Sequence, residues 1–389
     1  MKFNPNKKEC LPDLNVRPFS NIGELREAVR CNDATHPQSK YPRGGTAELG
    51  LLEKKVANIF NFQGSVVVFS YGMSGVVAAL ESERPTKDTV VMHGANEYSN
   101  NKKYIEGTLA ERGVKTITAE SYSLDYLEKL IKDEHPNIIF LETVANGPEI
   151  PVLDVEGFFK LQVLKELNPL IILDNTLAAG IISPQEILKE GFRVIGVESG
   201  LKFYTKHRGS FGFIYTNDSD LANRLKEYRK RAGTAPDLYQ TLLVNERLIG
   251  RWELFQRNRR IFSNAKLQAE LCTEAEDPES AFSVSYPNLP NHPNFSLASA
   301  KFPDGAAPLF FIKPRKGKNQ FDIAEALLEN PVVKEECAII ESFGYDFTAI
   351  WPNADLNFVR ISTGTGDEDE TRELGCALRD SLKQLNRGV

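Results

Sequence analysis

Two rhythms of apolar residues alternate along the chain from Thr46 onward. Leu49, Leu52, Val56, Ile59 and Phe60 recur at helical spacing and predict an amphipathic helix over Ala47–Phe60. Short apolar runs follow and predict strands at Val66–Phe69, Thr89–Met92, Val114–Thr118, Asn137–Leu141, Leu170–Leu173, Arg193–Val197 and Phe211–Tyr215. Helices are predicted between them at Gly72–Ser82, near Asn101–Arg112, at Leu124–Asp133 and at Val155–Leu167. Ser183-Pro184-Gln185-Glu186 is a capping box with proline at the first helical position, so a short helix starts there. Repeated β-α-β units of this kind predict an α/β fold, a mostly parallel sheet with helices on both faces and right-handed crossovers.

The rhythm changes after a charged helix near Leu221–Arg231. Residues Leu238–Glu274 read as one or two long helices. Strands at Leu309–Ile312, Ala338–Ile340 and Phe358–Ile361 surround one helix, and Glu368–Leu385 forms the last, which together predict a smaller α+β unit. The first forty or so residues read as an arm, with Pro5, Pro12, Pro18, one helical stretch around Ile22–Arg30 and a loop ending in Tyr41-Pro42-Arg43-Gly44-Gly45. Such a segment buries little alone and is expected to lie over the main body or a neighbouring subunit. The expected organisation is therefore an arm (1–45), a large domain (46–235) and a small C-terminal domain (236–389).

Composition narrows the class. A chain of 389 residues, 41% apolar and 26% charged, is long enough for two domains and is not a disordered one. The net charge of −6 and the lack of a long Lys/Arg run leave no footprint for nucleic acid. Five scattered cysteines without a C-x-x-C, and five histidines without an H-x-x-x-H, predict neither a disulfide framework nor a metal site, and a reducing compartment. The N-terminus lacks the apolar core of a signal peptide, and no apolar run approaches the ~18 residues of a membrane span. A cytoplasmic protein without membrane contact is expected.

Three places carry candidate chemistry. In Val66–Met73 a strand runs through Ser70 and Tyr71 into Gly72 and a helix, whose free N–H groups suit an anion. It is neither a Walker A loop nor a G-x-G-x-x-G fingerprint, and taken alone it also fits an ordinary strand–helix turn. Asp174 ends a buried strand, where it either serves a ligand crevice or caps the next turn. Lys202 follows another apolar strand, as a Schiff-base lysine or as a snorkelling structural one. In combination, an anion-binding helix start, a strand-end carboxylate and a strand-end lysine are what pyridoxal phosphate requires.

The chain resembles the cystathionine γ-synthase-like enzymes, the Cys/Met-metabolism group of fold-type I pyridoxal-phosphate proteins, from about Tyr41 to the C-terminus. Tyr41-Pro42-Arg43 resembles the family's Y-x-R, and Leu52-Glu53 the Leu-Glu that follows it. Tyr71-Gly72-Met73 stands at the S-G-M phosphate turn and Tyr98 at the ring-stacking tyrosine. Glu142–Gly147 resembles E-T-P-x-N-P, with Asn146 at the asparagine that approaches the ring hydroxyl. Asp174-Asn175-Thr176 is the D-N-T motif, and Ser199-Gly200-Leu201-Lys202 resembles S-x-T-K with His207 beyond it. Ser342-Phe343-Gly344 resembles S-L-G, and Phe358–Ser362 the closing V-R-L-S.

The resemblance implies a fold-type I transferase-like fold with pyridoxal 5′-phosphate held as an imine by Lys202. Asp174, Gly72, Met73, Tyr98, Asn146 and Ser199 are implied around the cofactor, with Tyr41 and Arg43 reaching the phosphate of a neighbouring subunit. Arg360 is implied as the clamp on the α-carboxylate of a small amino-acid substrate, with Ser342 beside it. Lys202 and Tyr98 are the implied acid/base groups, and His207 a structural neighbour. The expected reaction is γ-elimination or γ-replacement on a sulfur-containing or homoserine-derived amino acid. A homo-oligomer follows, with a dimer as the minimal active unit and a homotetramer as the expected assembly. β-Elimination on a cystathionine- or cysteine-like substrate, a fold-type I aminotransferase and a degenerate cofactor-binding scaffold are the alternatives.

Departures from the family pattern gather around substrate and phosphate. Tyr71 replaces the serine of S-G-M and Leu201 the threonine before the lysine, so two hydroxyls are lost. Ser99-Asn100-Asn101 replaces G-G-T, Gly209 stands where the family has aspartate, and the chain between Ser342 and Arg360 is short.

Overall fold

A computed structural model describes residues 45–387. The expected arm, with its helical stretch and with Tyr41 and Arg43, lies outside the described residues but for Gly45. The first sheet contains β1 (Ser65–Phe69), β2 (Val90–Gly94), β3 (Lys115–Ala119), β4 (Ile138–Glu142), β5 (Leu170–Asp174), β6 (Arg193–Ser199) and β7 (Gly212–Thr216), in the order β1-β7-β6-β5-β4-β2-β3. β7 runs antiparallel to both its neighbours and every other pair is parallel.

Burial on both faces explains why these strands read as unbroken apolar runs. In β5, Leu170 and Ile172 pack on one side with Val76 of the helix Gly72–Glu81 and with Leu221 and Leu225 of the helix Ser219–Ala232. Ile171 and Leu173 face the other side and join a core that includes Leu254 and Ile261 of the helix Arg251–Thr273. Each such side chain contributes about 1.5–3 kcal/mol of burial.

The second sheet contains β8 (Phe282–Ser285), β9 (Leu309–Pro314), β10 (Cys337–Ile339), β11 (Thr348–Asn353) and β12 (Phe358–Ser362), in the order β10-β11-β12-β9-β8. Only β10 and β11 pair in parallel. Its core includes Phe310 and Ile312 of β9 and Val359 and Ile361 of β12, all with no exposed surface. The last helix, Glu368–Arg387, approaches Arg251–Thr273 closely at Gly375, where a Cβ would come within 2.6 Å of a Leu271 methyl.

Several elements differ from expectation. The stretch near Asn101–Arg112 is a short α-helix, Ser99–Lys103, that continues as a π-helix over Tyr104–Leu109. The single helix expected over Val155–Leu167 is two, Val155–Phe158 and Gln162–Leu167, because Leu161 turns extended and both adjacent rings Phe158 and Phe159 are buried. The 238–274 stretch, expected as one or two helices, is two, Leu238–Arg247 and Arg251–Thr273, parted where Leu248 is extended and the Ile249 N–H donates to the Tyr204 carbonyl at 3.0 Å. Between β9 and β10 stand two helices, Gln320–Leu328 and Pro331–Glu336, parted by Asn330, which caps the second, and by Pro331 at its start.

Candidate active site

The carboxyl ends of β4, β5 and β6 and the start of the helix Gly72–Glu81 meet around a cavity of about 410 Å³. Gly72, Met73, Tyr98, Asn146, Asp174, Ser199, Lys202 and Ser342 all line it. Open α/β sheets place ligands at this edge because the strand ends and helix starts leave polar backbone unpaired there.

The helix begins without a side-chain cap, Tyr71 being extended at φ −146° and ψ 160°. Its first N–H groups therefore have no intrahelical acceptor and carry the positive end of the helix dipole. Glycine is required at 72, since a Cβ there would come within 3.0 Å of the Ser199 Cβ and 3.3 Å of its hydroxyl. The Tyr71 side chain, in place of the family's serine, is 58% exposed at this edge.

Two carboxylates stand side by side on adjacent strands. Asp174 Oδ1 accepts the Thr176 N–H at 2.9 Å, and Asp174 Oδ2 accepts the Asn101 amide at 3.4 Å. The same amide donates to Glu142 Oε1 at 3.1 Å, which also accepts the Tyr98 N–H at 2.8 Å, while Glu142 Oε2 accepts the Asn146 N–H at 2.7 Å. Burial raises both carboxyls above the usual range; Asp174 and Glu97 push Glu142 further up, while the Thr176 contacts and the Lys202 charge draw Asp174 back. The side-chain oxygens of Asn101 and Asn146 are buried here without a hydrogen-bond partner. Beneath them Glu198, fully buried, accepts from Tyr204, from Tyr215 at 3.1 Å and from Asn175 at 2.9 Å, which fixes the end of β6 before Ser199.

Lys202 is half-buried. Loss of water lowers its amine to about 8, against the pull of Asp174 and with help from the Arg360 charge. Its Nζ lies 3.8 Å from the centre of the Phe343 ring and 5.6 Å from that of Tyr98. The Phe343 loop is tied down: His207 Nε2–H donates to the Phe343 carbonyl at 2.8 Å, and Arg257 donates to the Gly344 carbonyl at 2.8 Å and to Asp346 at 2.8 Å.

Arg360 arrives from β12 and stands behind the cavity wall. Its guanidinium lies 5.8 Å from the Phe343 ring, and its Nε and Nη2 are buried without partners. Desolvation lowers it to about 10, with Glu341, Tyr98 and Tyr345 pulling the other way.

Asn101, Glu142, Thr176 and Phe343, which the sequence offers within motifs but without a role, and Arg257 belong to this constellation. The departure at Ser99-Asn100-Asn101 was the signal for the first, and the Glu142–Gly147 motif for the second. Arg257, in the middle of a charged helix, carries no signal in the sequence. Among the described residues no group of three or more His, Cys, Asp or Glu side chains is placed to hold a metal ion, and no helix is long and apolar enough to cross a membrane.

Comparison with known proteins points to one group. The family model described as Cys/Met metabolism PLP-dependent enzyme matches residues 23–333. Cystathionine gamma-lyase of Macaca fascicularis is 24% identical over 356 residues, 87% of this chain and 82% of that protein. Cystathionine gamma-synthase of Mycobacterium bovis is 25% identical over 281 residues, 72% of this chain and 68% of that protein. A solved cystathionine gamma synthase of Xanthomonas oryzae pv. oryzae has the same fold, with a TM-score of 0.72 at 19% identity over 90% of this chain and 89% of that one.

Proposed function

The chain belongs to the family of Cys/Met metabolism PLP-dependent enzymes, lyases and transferases, and from that premise we propose a γ-elimination or γ-replacement on a sulfur-containing or homoserine-derived amino acid. The observation that carries this reading is the Lys202 amine, lowered to about 8 and sharing one cavity with Asp174 and an uncapped helix start.

The residues present fit pyridoxal 5′-phosphate. The uncapped N–H groups at Gly72 and Met73, beside the Ser199 hydroxyl, suit its phosphate, and any side chain at 72 would fill that cradle. Asp174 supports the reading as the anion for the pyridine nitrogen, Tyr98 as the ring against its face, and Asn146 as a neighbour of the ring hydroxyl. Tyr41 and Arg43, outside the described residues, are proposed to reach the phosphate of a second subunit, which makes a dimer the minimal active unit. Assembly as a homotetramer and a cytoplasmic location belong to the same proposal.

When bound, the cofactor would supply an electron sink for negative charge developing at the substrate α-carbon. Lys202 Nζ, with a proton affinity near neutrality, takes the α-proton and carries it onward. The planar fork of Arg360 suits two parallel hydrogen bonds to the α-carboxylate, which orient the bond to be broken, with Ser342 bordering the same space. Tyr98 is proposed to hold or donate a proton at the departing γ-substituent.

One experiment divides the possibilities. The purified protein is loaded with pyridoxal phosphate and given O-acylhomoserine, homocysteine, cystathionine and cysteine, with ammonia, 2-oxoacid and product mass followed. Loss or exchange of the γ-substituent supports the proposal. Amino-group transfer to a 2-oxoacid with no substituent lost, or no visible absorbance gained at Lys202 on loading, would overturn it.

A further inference from the structure

Phe343 stands where the resemblance has leucine, and its ring meets two cations at once: Lys202 Nζ at 3.8 Å and the Arg360 guanidinium at 5.8 Å. The ring lines the cavity and is 2% exposed, whereas Arg360 does not line the cavity and has two nitrogens sealed from solvent and unpartnered. A carboxylate entering from the cavity therefore meets Phe343 before it meets Arg360.

The backbone around this ring is pinned on both sides. His207 holds the Phe343 carbonyl, Arg257 holds the Gly344 carbonyl, and Gly344, at φ +86°, sits so close to the Lys202 backbone that a Cβ would come within 2.9 Å of its carbonyl oxygen. Motion is left to the side chain. With Phe203 packed 5.9 Å away on the core side, the ring has the cavity to turn into.

We propose that Phe343 is a specificity-determining gate, seated on the free Lys202 amine and covering Arg360, which swings into the cavity once that amine is engaged. This rests on the functional reading above. The Lys202 nitrogen condenses with the cofactor aldehyde, replacing its oxygen, which leaves as water. The nitrogen, bonded to the cofactor carbon, would then no longer present an ammonium group to the ring, and Arg360 would open to the substrate carboxylate. The turned ring occupies part of the cavity, so amino acids with slender, unbranched side chains are favoured.

The test is modification of Arg360 by phenylglyoxal, read by peptide mass spectrometry in cofactor-free and pyridoxal-phosphate-loaded protein. Wild type without cofactor is expected to react slowly at Arg360, and Phe343→Leu about tenfold faster, the scale that one desolvated cation–π contact supports. Phe343→Tyr, which keeps the ring, should stay slow, and loading should speed the wild type toward the leucine variant. On the loaded protein, Phe343→Leu should also bind phenylalanine, followed by absorbance, where the wild type does not.

Equal Arg360 reactivity in wild type and Phe343→Leu, or loading that leaves the wild-type rate unchanged or lower, would overturn the gate. A protein that gains no absorbance with pyridoxal phosphate would overturn the functional reading instead, and the cofactor-free comparison would still decide whether Phe343 covers Arg360.

Discussion

Glu142 and Asp174 are register partners at the carboxyl ends of β4 and β5, and a single neutral amide, that of Asn101, donates to both. Two carboxyls buried side by side oppose each other's ionisation, and both are raised, Glu142 strongly. The shared donor sets how much charge this corner of the site tolerates.

Asn101→Ala should therefore cost about 1–3 kcal/mol of stability at pH 7, the size of a lost donor between buried acceptors. Asn101→Asp should cost more, since it adds another carboxyl where Glu142, Asp174 and Glu97 already repel. Its deficit relative to the alanine variant should shrink as pH falls and the group takes up protons. Urea denaturation of the three proteins at pH 5 and pH 7 checks both statements. An aspartate variant as stable as wild type at pH 7 would show that the amide is not what balances the pair.

The cradle at Gly72 makes a second prediction. Gly72→Ala places a methyl 3.0 Å from the Ser199 Cβ, and thus into the space beside the uncapped N–H groups, while the helical conformation itself suits alanine. The crowding against Ser199 should cost about 1–3 kcal/mol of stability, and affinity for pyridoxal phosphate should fall at least about tenfold, about 1.4 kcal/mol. Cofactor titration followed by fluorescence, beside a thermal melt, separates the two effects.

Which parts of this architecture were legible beforehand follows from where the signal resides. The strands of the first sheet are short runs buried on both faces, so each announces itself as an apolar block; Leu170–Asp174 ends one residue beyond its predicted limit. β8 and β11 carry weaker marks: Phe282-Ser283-Val284-Ser285 is a four-residue alternation, and β11 contains Pro352, which argues against a strand interior. In the site, Lys202, Asp174 and Gly72 stand at strand and helix ends where spacing points to them. Asn101 and Phe343 act through what they touch, and that depends on distant segments brought together by folding.

Arg360 combines burial with unused hydrogen-bonding capacity, and this predicts a conflict between stability and binding. Among the described residues no carboxylate lies within ion-pair distance of it, and Nε and Nη2 have no partners. Replacing a buried unpaired cation by an apolar side chain of similar length removes a desolvation cost. Arg360→Met should therefore raise the melting temperature while amino-acid binding to the loaded protein weakens severely. Arg360→Lys should keep the charge but lose the two-pronged contact, raising KM by about tenfold or more. A melting temperature that drops in the methionine variant would mean that the guanidinium is satisfied in a way its geometry does not show.

Lys202 gives a prediction with a defined pH window. Its amine sits at about 8 in the folded chain, below the roughly 10.4 of an unfolded lysine. Between those values the unfolded chain holds more protons than the folded one, so stability rises with pH across that interval. Below pH 8 both states are charged, and the folded state bears the full cost of a poorly hydrated cation. In cofactor-free protein, Lys202→Met removes that cost. Discounted for the solvent that still reaches this half-buried side chain, the variant should be more stable than wild type at pH 7 by on the order of 1–3 kcal/mol. The gap should narrow through pH 9 and close near pH 10.5, as the wild-type lysine becomes neutral in both states. Urea midpoints of the two proteins at these three pH values measure it. A gap that stays constant would place the stabilisation in the added methyl group's packing, and a gap that widens would reverse the sign of the lysine's contribution.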